Sequence, residues 1–339
     1  MSVPQDSYRG LGWQHGALAV QRLGAMLAPL SFVLPDGRQV SPMHVAPWAD
    51  EPDAAALPGI LRRLRGEWPC VPFGYGVDDP TTPAEWAAVM APPDANEAVH
   101  GYSSNHDWRW DEATGTSLAL AIDYPTGDPI RRLQRTITPD PNGPAVDIEL
   151  RIEARAACAI PLGLHSTFRL PLQVGQAKVQ PGRFDHGRTY PGTVEPGAAL
   201  FAIDRTFSQL AAVPGRDGTS VDATTLPFAS ATEELLQLNG VDGTVALANH
   251  AEGYRMVLSW QAEHFPSLLL WFSNRGRQMA PWSGRHLALG MEPICSPFGL
   301  SPDTARADNP IARSGIPTAR AFAAGEVFTT RYRIAVEPL

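Results

Sequence analysis

Residues 145–156 read AVDIELRIEARA, and Val146, Ile148, Leu150 and Ile152 alternate with Asp147, Glu149, Arg151 and Glu153. Successive side chains of a strand point to opposite faces, so this stretch predicts a strand with one face on a core and one toward solvent. A period of two persists from about residue 117 onward. SLALAIDY, RRLQRTITPD, ALFAIDRTF, GTVALANH, GYRMVLSWQ, SLLLWFS, HLALGMEP and EVFTTRYRIAVEP are further strand candidates. PDPNGP, GVDG and AEG separate several of them as turns. Few helical patterns intervene in this half, so strands adjacent in sequence should pair antiparallel and stack as a large sandwich.

The first hundred residues are less regular. Residues 17–35 are apolar with a Gly-Ala break and fit a helix or two strands; PDGR at 35–38 then reads as a turn after the strand LSFVL. Residues 54–64 predict a short broken helix. TPAEWAAVM predicts a helix start with Thr82 as cap and Pro83 at the first position. No internal repeat appears, and no linker is long and polar enough to divide the chain. One domain spanning residues 1–339 is the expectation.

Composition narrows the class. The chain has 339 residues, 44% hydrophobic and 18% charged, enough for a large core. Its 33 prolines and 30 glycines fit many turns between strands. The net charge is −8 and no basic run stands out, which argues against nucleic acid or an anionic membrane as partner. Cys70, Cys158 and Cys295 are far apart and form no CxxC pair, so a reducing, cytoplasmic compartment is expected. The opening MSVPQDSYRGLGWQHG is polar where a signal peptide needs an apolar run, and no run is long enough to span a bilayer.

Four places put ionisable groups at strand ends or in adjoining loops. His100 precedes Gly101 in HGYSSNHDWRW, and a glycine lets the backbone turn sharply or approach a ligand. His165 sits in IPLGLHSTFRLP, Asp204 and Arg205 in FAIDRTF, and Glu292 in LALGMEPICSPFG. Each taken singly has an ordinary reading as a packed or solvated side chain. Glu292 closes an apolar run, where burying a carboxylate is costly without partners. Trp108 and Trp110 lie in a polar stretch beside His100, and indoles stack on the apolar faces of sugar rings. Trp271, inside SLLLWFS, reads as core. His15, His44, His250 and His264 show no metal-ligand spacing, so no metal is expected. GYG at 74–76 and GLG at 10–12 lack the context of a phosphate loop, and no GxSxG elbow is present.

The order of these pieces resembles the aldose 1-epimerase (galactose mutarotase-like) family. HG followed by an aromatic and then Trp, LGLH-x-TF-x-LP, D-R, LLLWFSNRG and ALGMEP occur in the family's order. LGAMLAPLSFVLPDGR near the start is similar to its opening hairpin, so the likeness runs over nearly the whole chain. The resemblance implies an all-β supersandwich of large, mostly antiparallel sheets with a few short helices. It implies an isomerase that interconverts the α and β anomers of an aldose, with no cofactor. Glu292 would be the base, His165 the acid, and His100 would position the ring oxygen or share the acid role. Asp204 would bind sugar hydroxyls, with Asn105, Arg205, Trp108 and Trp110 as further sugar contacts. Departures from the pattern are Tyr102, Ser103 and Ser104 where the family commonly carries an Arg, and Ser166 after the second histidine in place of Pro. The family's Arg before HG has no clear counterpart in WPCVPFGYG, which weighs against a phosphorylated sugar. A monosaccharide partner is expected, for a monomer or a homodimer. The alternatives are a non-catalytic carbohydrate-binding protein with the same cleft, and a sugar lyase or hydrolase. A hydrolase would need a paired carboxylate, and only Asp204 offers itself to Glu292.

Overall fold

A computed structural model describes residues 7–94, 98–111 and 114–339. Two antiparallel sheets carry the fold. One has eleven strands and runs, in spatial order, through Tyr8–Trp13, Gly16–Gln21, Leu27–Val33, Glu67–Cys70, Leu162–Arg169, Leu287–Cys295, Ser267–Asn274, Thr232–Asn239, His186–Thr189 and Thr206–Phe207, with Gln39–Val40 paired to Leu27–Val33. The other has nine and runs through Thr225–Leu226, Ala177–Pro181, Thr244–Asn249, Tyr254–Trp260, Val327–Pro338, Ala145–Ala154, Ile130–Pro139, Leu118–Asp123 and Arg109–Trp110. The alternating Ala145–Ala154 segment is a central strand of this second sheet, and its isoleucines and leucine are buried.

Helices are short. Ala84–Ala87 begins after Pro83, not after Thr82, because Pro83 itself holds extended backbone and becomes the cap. Residues 54–64 form two 3-10 turns, Pro52–Ala56 and Gly59–Arg63, on either side of Pro58. Residues 17–35 resolve into two strands, Gly16–Gln21 and Leu27–Val33. A helical turn, Pro302–Arg306, also lies late in the chain.

Two apolar clusters divide the work. The larger draws on both sheets, with Phe32, Leu164, Phe168 and Phe272 from one and Ile137, Ile148, Leu258 and Ile334 from the other. The second lies on the opposite face of the eleven-stranded sheet, where Trp68, Leu269, Trp271 and Ile294 meet loop residues such as Trp48, Ile60, Phe73 and Phe298. The middle strands of that sheet are therefore covered on both faces. All eight residues of Ser267–Asn274 and all nine of Leu287–Cys295 are buried, which explains their continuous apolar sequence.

Between the sheets lies an ion pair. Arg135 and Glu67 are both fully buried and bonded to each other, and the Tyr332 hydroxyl donates to Glu67 Oε1 at 2.6 Å. No helix among the described residues is long and apolar enough to cross a membrane.

Candidate active site

A cleft of about 830 Å³ opens on the outer face of the eleven-stranded sheet. Its floor is a row of side chains across neighbouring strands. His165 is paired with Trp68 in the adjoining strand, and the two rings stack with centroids 4.0 Å apart. On the other side, Gly163 pairs with Ile294 and Thr167 with Gly290, so the same register sets His165 opposite Glu292. Glu292 in turn pairs with Leu269, and Trp271 pairs with Gly290. Residues directly opposite in a sheet project to the same face. Trp68, His165, Glu292 and Leu269 thus form one line although 224 positions separate Trp68 from Glu292 (292 minus 68); the last three line the cleft, and Trp68 is buried behind His165.

His165 Nδ1 lies 3.6 Å from Glu292 Oε1 and 3.3 Å from Thr167 Oγ1. Gly290 makes the room for this pair. A β-carbon there would sit 2.4 Å from Glu292 Oε1 and 2.9 Å from the Trp271 Cβ.

His100 reaches the same floor from a loop. Its ring centroid is 5.1 Å from that of His165, edge to face, and 4.8 Å from Phe73. The backbone holds it there by turning left-handed twice, at His100 (φ 59°) and at Gly101 (φ 78°). A side chain at 101 would strike the Val71 carbonyl at 2.6 Å. The left-handed conformation costs a non-glycine residue about 1–2 kcal/mol, and such strain gathers at functional positions. The Gly74 N–H donates to His100 Nδ1 at 3.2 Å, so the neutral ring carries its hydrogen on Nε2.

Asn105 lines the cleft, but its amide is fully used. Oδ1 accepts the Ile60 N–H at 3.0 Å, and Nδ2 donates to the carbonyls of Val99 and Gly101 at 2.8 and 2.7 Å. It ties the Gly59–Arg63 turn to the His100 turn and has no spare donor for a sugar.

Burial sets the protonation of the floor. It holds His165 well below the ordinary histidine range, with His100 adding a smaller push, and pushes Glu292 well above the carboxylate range. It also lowers His100, to about 4. Burial therefore favours the neutral form of each of these groups. An imidazole and a carboxyl group, the two side-chain types that most often carry protons in general acid–base chemistry, lie side by side in a buried pocket. Among the described residues no group of three His, Cys, Asp or Glu is arranged to hold a metal ion.

No protein-family model and no curated protein sequence matches the chain. Solved structures do. An aldose epimerase homologue from C. elegans superposes with a TM-score of 0.66 at 12% identity, covering 98% of this chain and 99% of the other. A galactose mutarotase-like protein from Clostridium acetobutylicum gives 0.63 at 12% identity over 98% and 95%. One from Lactobacillus casei gives 0.60 at 14% identity over 97% and 100%. The chain has the galactose mutarotase-like fold.

On this fold, four of the sequence-derived sugar contacts lie away from the cleft. Trp108 is fully buried in the core between the sheets, where its Nε1 donates to the Ser103 carbonyl at 2.8 Å. Trp110 packs against that same core and carries the Arg9 guanidinium 4.7 Å from its ring centre. Neither indole can be the floor under a sugar here. Asp204 sits behind the cleft wall and binds Arg188 Nε at 2.6 Å and Trp86 Nε1 at 2.9 Å. Trp86 meets Phe298, which meets the cleft residue Tyr190, so Asp204 supports the wall without lining it. Arg205 is exposed on the far side of that turn, bonded by its backbone N–H to Thr189 Oγ1 at 2.7 Å. Ser103 and Ser104, which stand where the family commonly has an Arg, are buried beneath the loop.

The aromatic lining comes from elsewhere. Trp271 is buried in the second apolar cluster, as its reading as core expects, and it also lines the cleft together with Trp282, Tyr75 and Tyr190. Arg277 also lines it. The sequence clue to Trp271 was faint, because a strand covered on both faces has no polar alternation to tell its two sides apart.

Proposed function

We propose that this protein is an aldose 1-epimerase-like isomerase that opens and recloses the hemiacetal of a sugar by general acid–base catalysis. The observation that carries the reading is the His165–Glu292 pair, 3.6 Å apart on neighbouring strands at the floor of one cleft, with the His100 ring against it. Mutarotation needs a base at the anomeric hydroxyl and an acid at the ring oxygen.

The pair supplies both from a single proton. At rest it is imidazole plus carboxylic acid. Passing that proton from Glu292 to His165 gives carboxylate plus imidazolium with no change in total charge. Glu292 then takes the proton of the anomeric hydroxyl, and His165 gives one to the ring oxygen as the C1–O5 bond breaks. The pair is left as it began, and the sugar is an open-chain aldehyde. Closure on the other face of the carbonyl reverses the transfers and yields the other anomer. His100, with its Nε2–H, donates a hydrogen bond to the ring oxygen or a neighbouring hydroxyl.

Polarimetry on freshly dissolved α-glucose and α-galactose tests this. Glu292→Gln keeps the shape but cannot accept a proton, and the catalysed rate should fall by about two to four orders of magnitude. His165→Asn should do similar damage, with sugar affinity retained in both. A robust rate that survives Glu292→Gln refutes the base assignment. A wild type that binds sugars yet never accelerates mutarotation makes it a carbohydrate-binding protein.

A further inference from the structure

Arg277 is the single Lys or Arg side chain lining the cleft among the described residues. Its guanidinium is fixed in three ways. Nε lies 3.3 Å from Glu233 Oε1. Its flat face lies 4.6 Å over Trp282 and 5.7 Å from the centre of Trp271. Glu233 is itself held, for it is fully buried and accepts Trp271 Nε1 at 2.7 Å and Ser273 Oγ at 3.0 Å. Burial pushes Glu233 up, while Arg277, Trp271 and Ser273 pull it down. Ser273 Oγ is backed in turn by His286 Nδ1 at 2.8 Å.

What remains unused is the outer edge. The terminal amino groups of Arg277 make no hydrogen bond to any described residue, although a guanidinium offers five N–H donors in a rigid fork. Leu61, Val194, Leu235 and Leu269 line the same cleft, and beside such apolar walls a charged donor counts for more than at an open surface. An arginine with one edge anchored, its face stacked and the other edge free is built for bidentate recognition.

We propose that Arg277, positioned by Glu233, is a specificity clamp whose free edge binds two adjacent oxygens of the substrate. Two neighbouring hydroxyls or one carboxylate present that spacing. Glu233 already offsets much of the positive charge, so a phosphate dianion is a poorer match than either. The inference builds on the epimerase reading for its kinetic arm alone, because the clamp also acts on a sugar that cannot react.

The experiment compares wild type with Arg277→Lys, Arg277→Leu and Glu233→Gln. Affinity for 1,5-anhydroglucitol and for glucuronate is followed by calorimetry and by tryptophan fluorescence, which Trp271 and Trp282 should report. Mutarotation of glucose, galactose and glucuronate is followed in parallel. Loss of a charge-assisted bidentate contact should weaken affinity and raise KM by about ten- to a hundredfold in Arg277→Leu, with kcat falling less than KM rises. Arg277→Lys keeps the charge but not the fork and should fall between. Glu233→Gln should move KM in the same direction. A wild-type preference for glucuronate that vanishes in Arg277→Leu identifies the carboxylate as the recognised pair; equal losses on neutral and acidic sugars identify hydroxyls. Affinity and KM within twofold of wild type in a folded Arg277→Leu overturn the clamp. Loss of anhydroglucitol binding in Arg277→Leu, with no mutarotation by wild type on any sugar, sustains the clamp and overturns the epimerase reading.

Discussion

At the scale of single residues, burial sets the protonation of His165 and Glu292. Burial lowers one and raises the other, so the two shifts favour an interval in which the pair holds one proton. Below that interval the imidazole takes a second proton and the base is lost. Because His165 is shifted down, this limb should lie on the acid side of free histidine. Above it the carboxyl gives up the shared proton and the acid is lost. Because Glu292 is shifted up, this limb should lie on the alkaline side of a free carboxylate. On the proposed mechanism the mutarotation rate should therefore show a bell against pH. A rate profile with one limb, centred where free histidine titrates, would mean that His165 acts without Glu292.

At the scale of elements, the site depends on small residues that let strands and loops approach. Gly290 is such a position, between Trp271 and the Glu292 carboxylate. The methyl of Gly290→Ala has no free space, so either the indole or the carboxylate must move. Overpacking of this kind costs about 1–3 kcal/mol of stability, and a displacement near 1 Å costs about a hundredfold in rate. Urea denaturation and polarimetry on Gly290→Ala should show both losses. An unchanged rate would mean that the position of Glu292 is not critical. The loop side follows the same logic through Asn105, whose three hydrogen bonds hold the His100 turn against the Gly59–Arg63 turn.

At the scale of the molecule, the sheet that carries the site is pinned to its partner by Glu67, Arg135 and Tyr332. Glu67 belongs to the strand next to His165, and its neighbour Trp68 stacks on that histidine, so the core ion pair and the cleft share a strand. Removing one partner leaves an uncompensated buried charge. Glu67→Gln and Arg135→Met should each lower the unfolding free energy by about 3–5 kcal/mol, while the double replacement should lose much less than the sum. Additive losses in urea titrations would show that the two side chains act independently.

The sequence by itself determined the class of fold. Alternation in AVDIELRIEARA reports a strand with two unlike faces, and turn residues between such runs report antiparallel neighbours. The order of HG, LGLH and GMEP along the chain was enough to single out His100, His165 and Glu292, which line the same cleft. Tertiary structure alone decided which polar and aromatic groups stand beside them. Trp108 and Trp110 are close to His100 in sequence, yet beyond the Gly101–Asn105 helical turn Trp108 is buried in the core between the sheets and Trp110 packs against it. Asp204 follows an apolar run as Glu292 ends one, but its turn lies behind Tyr190 and Phe298 instead of on the floor. Trp271 carried no local mark, because facing in or out of a fully covered strand is settled by pairing register, and register is a property of strands far apart in the chain; Arg277 follows that strand in a loop, where periodicity assigns no face.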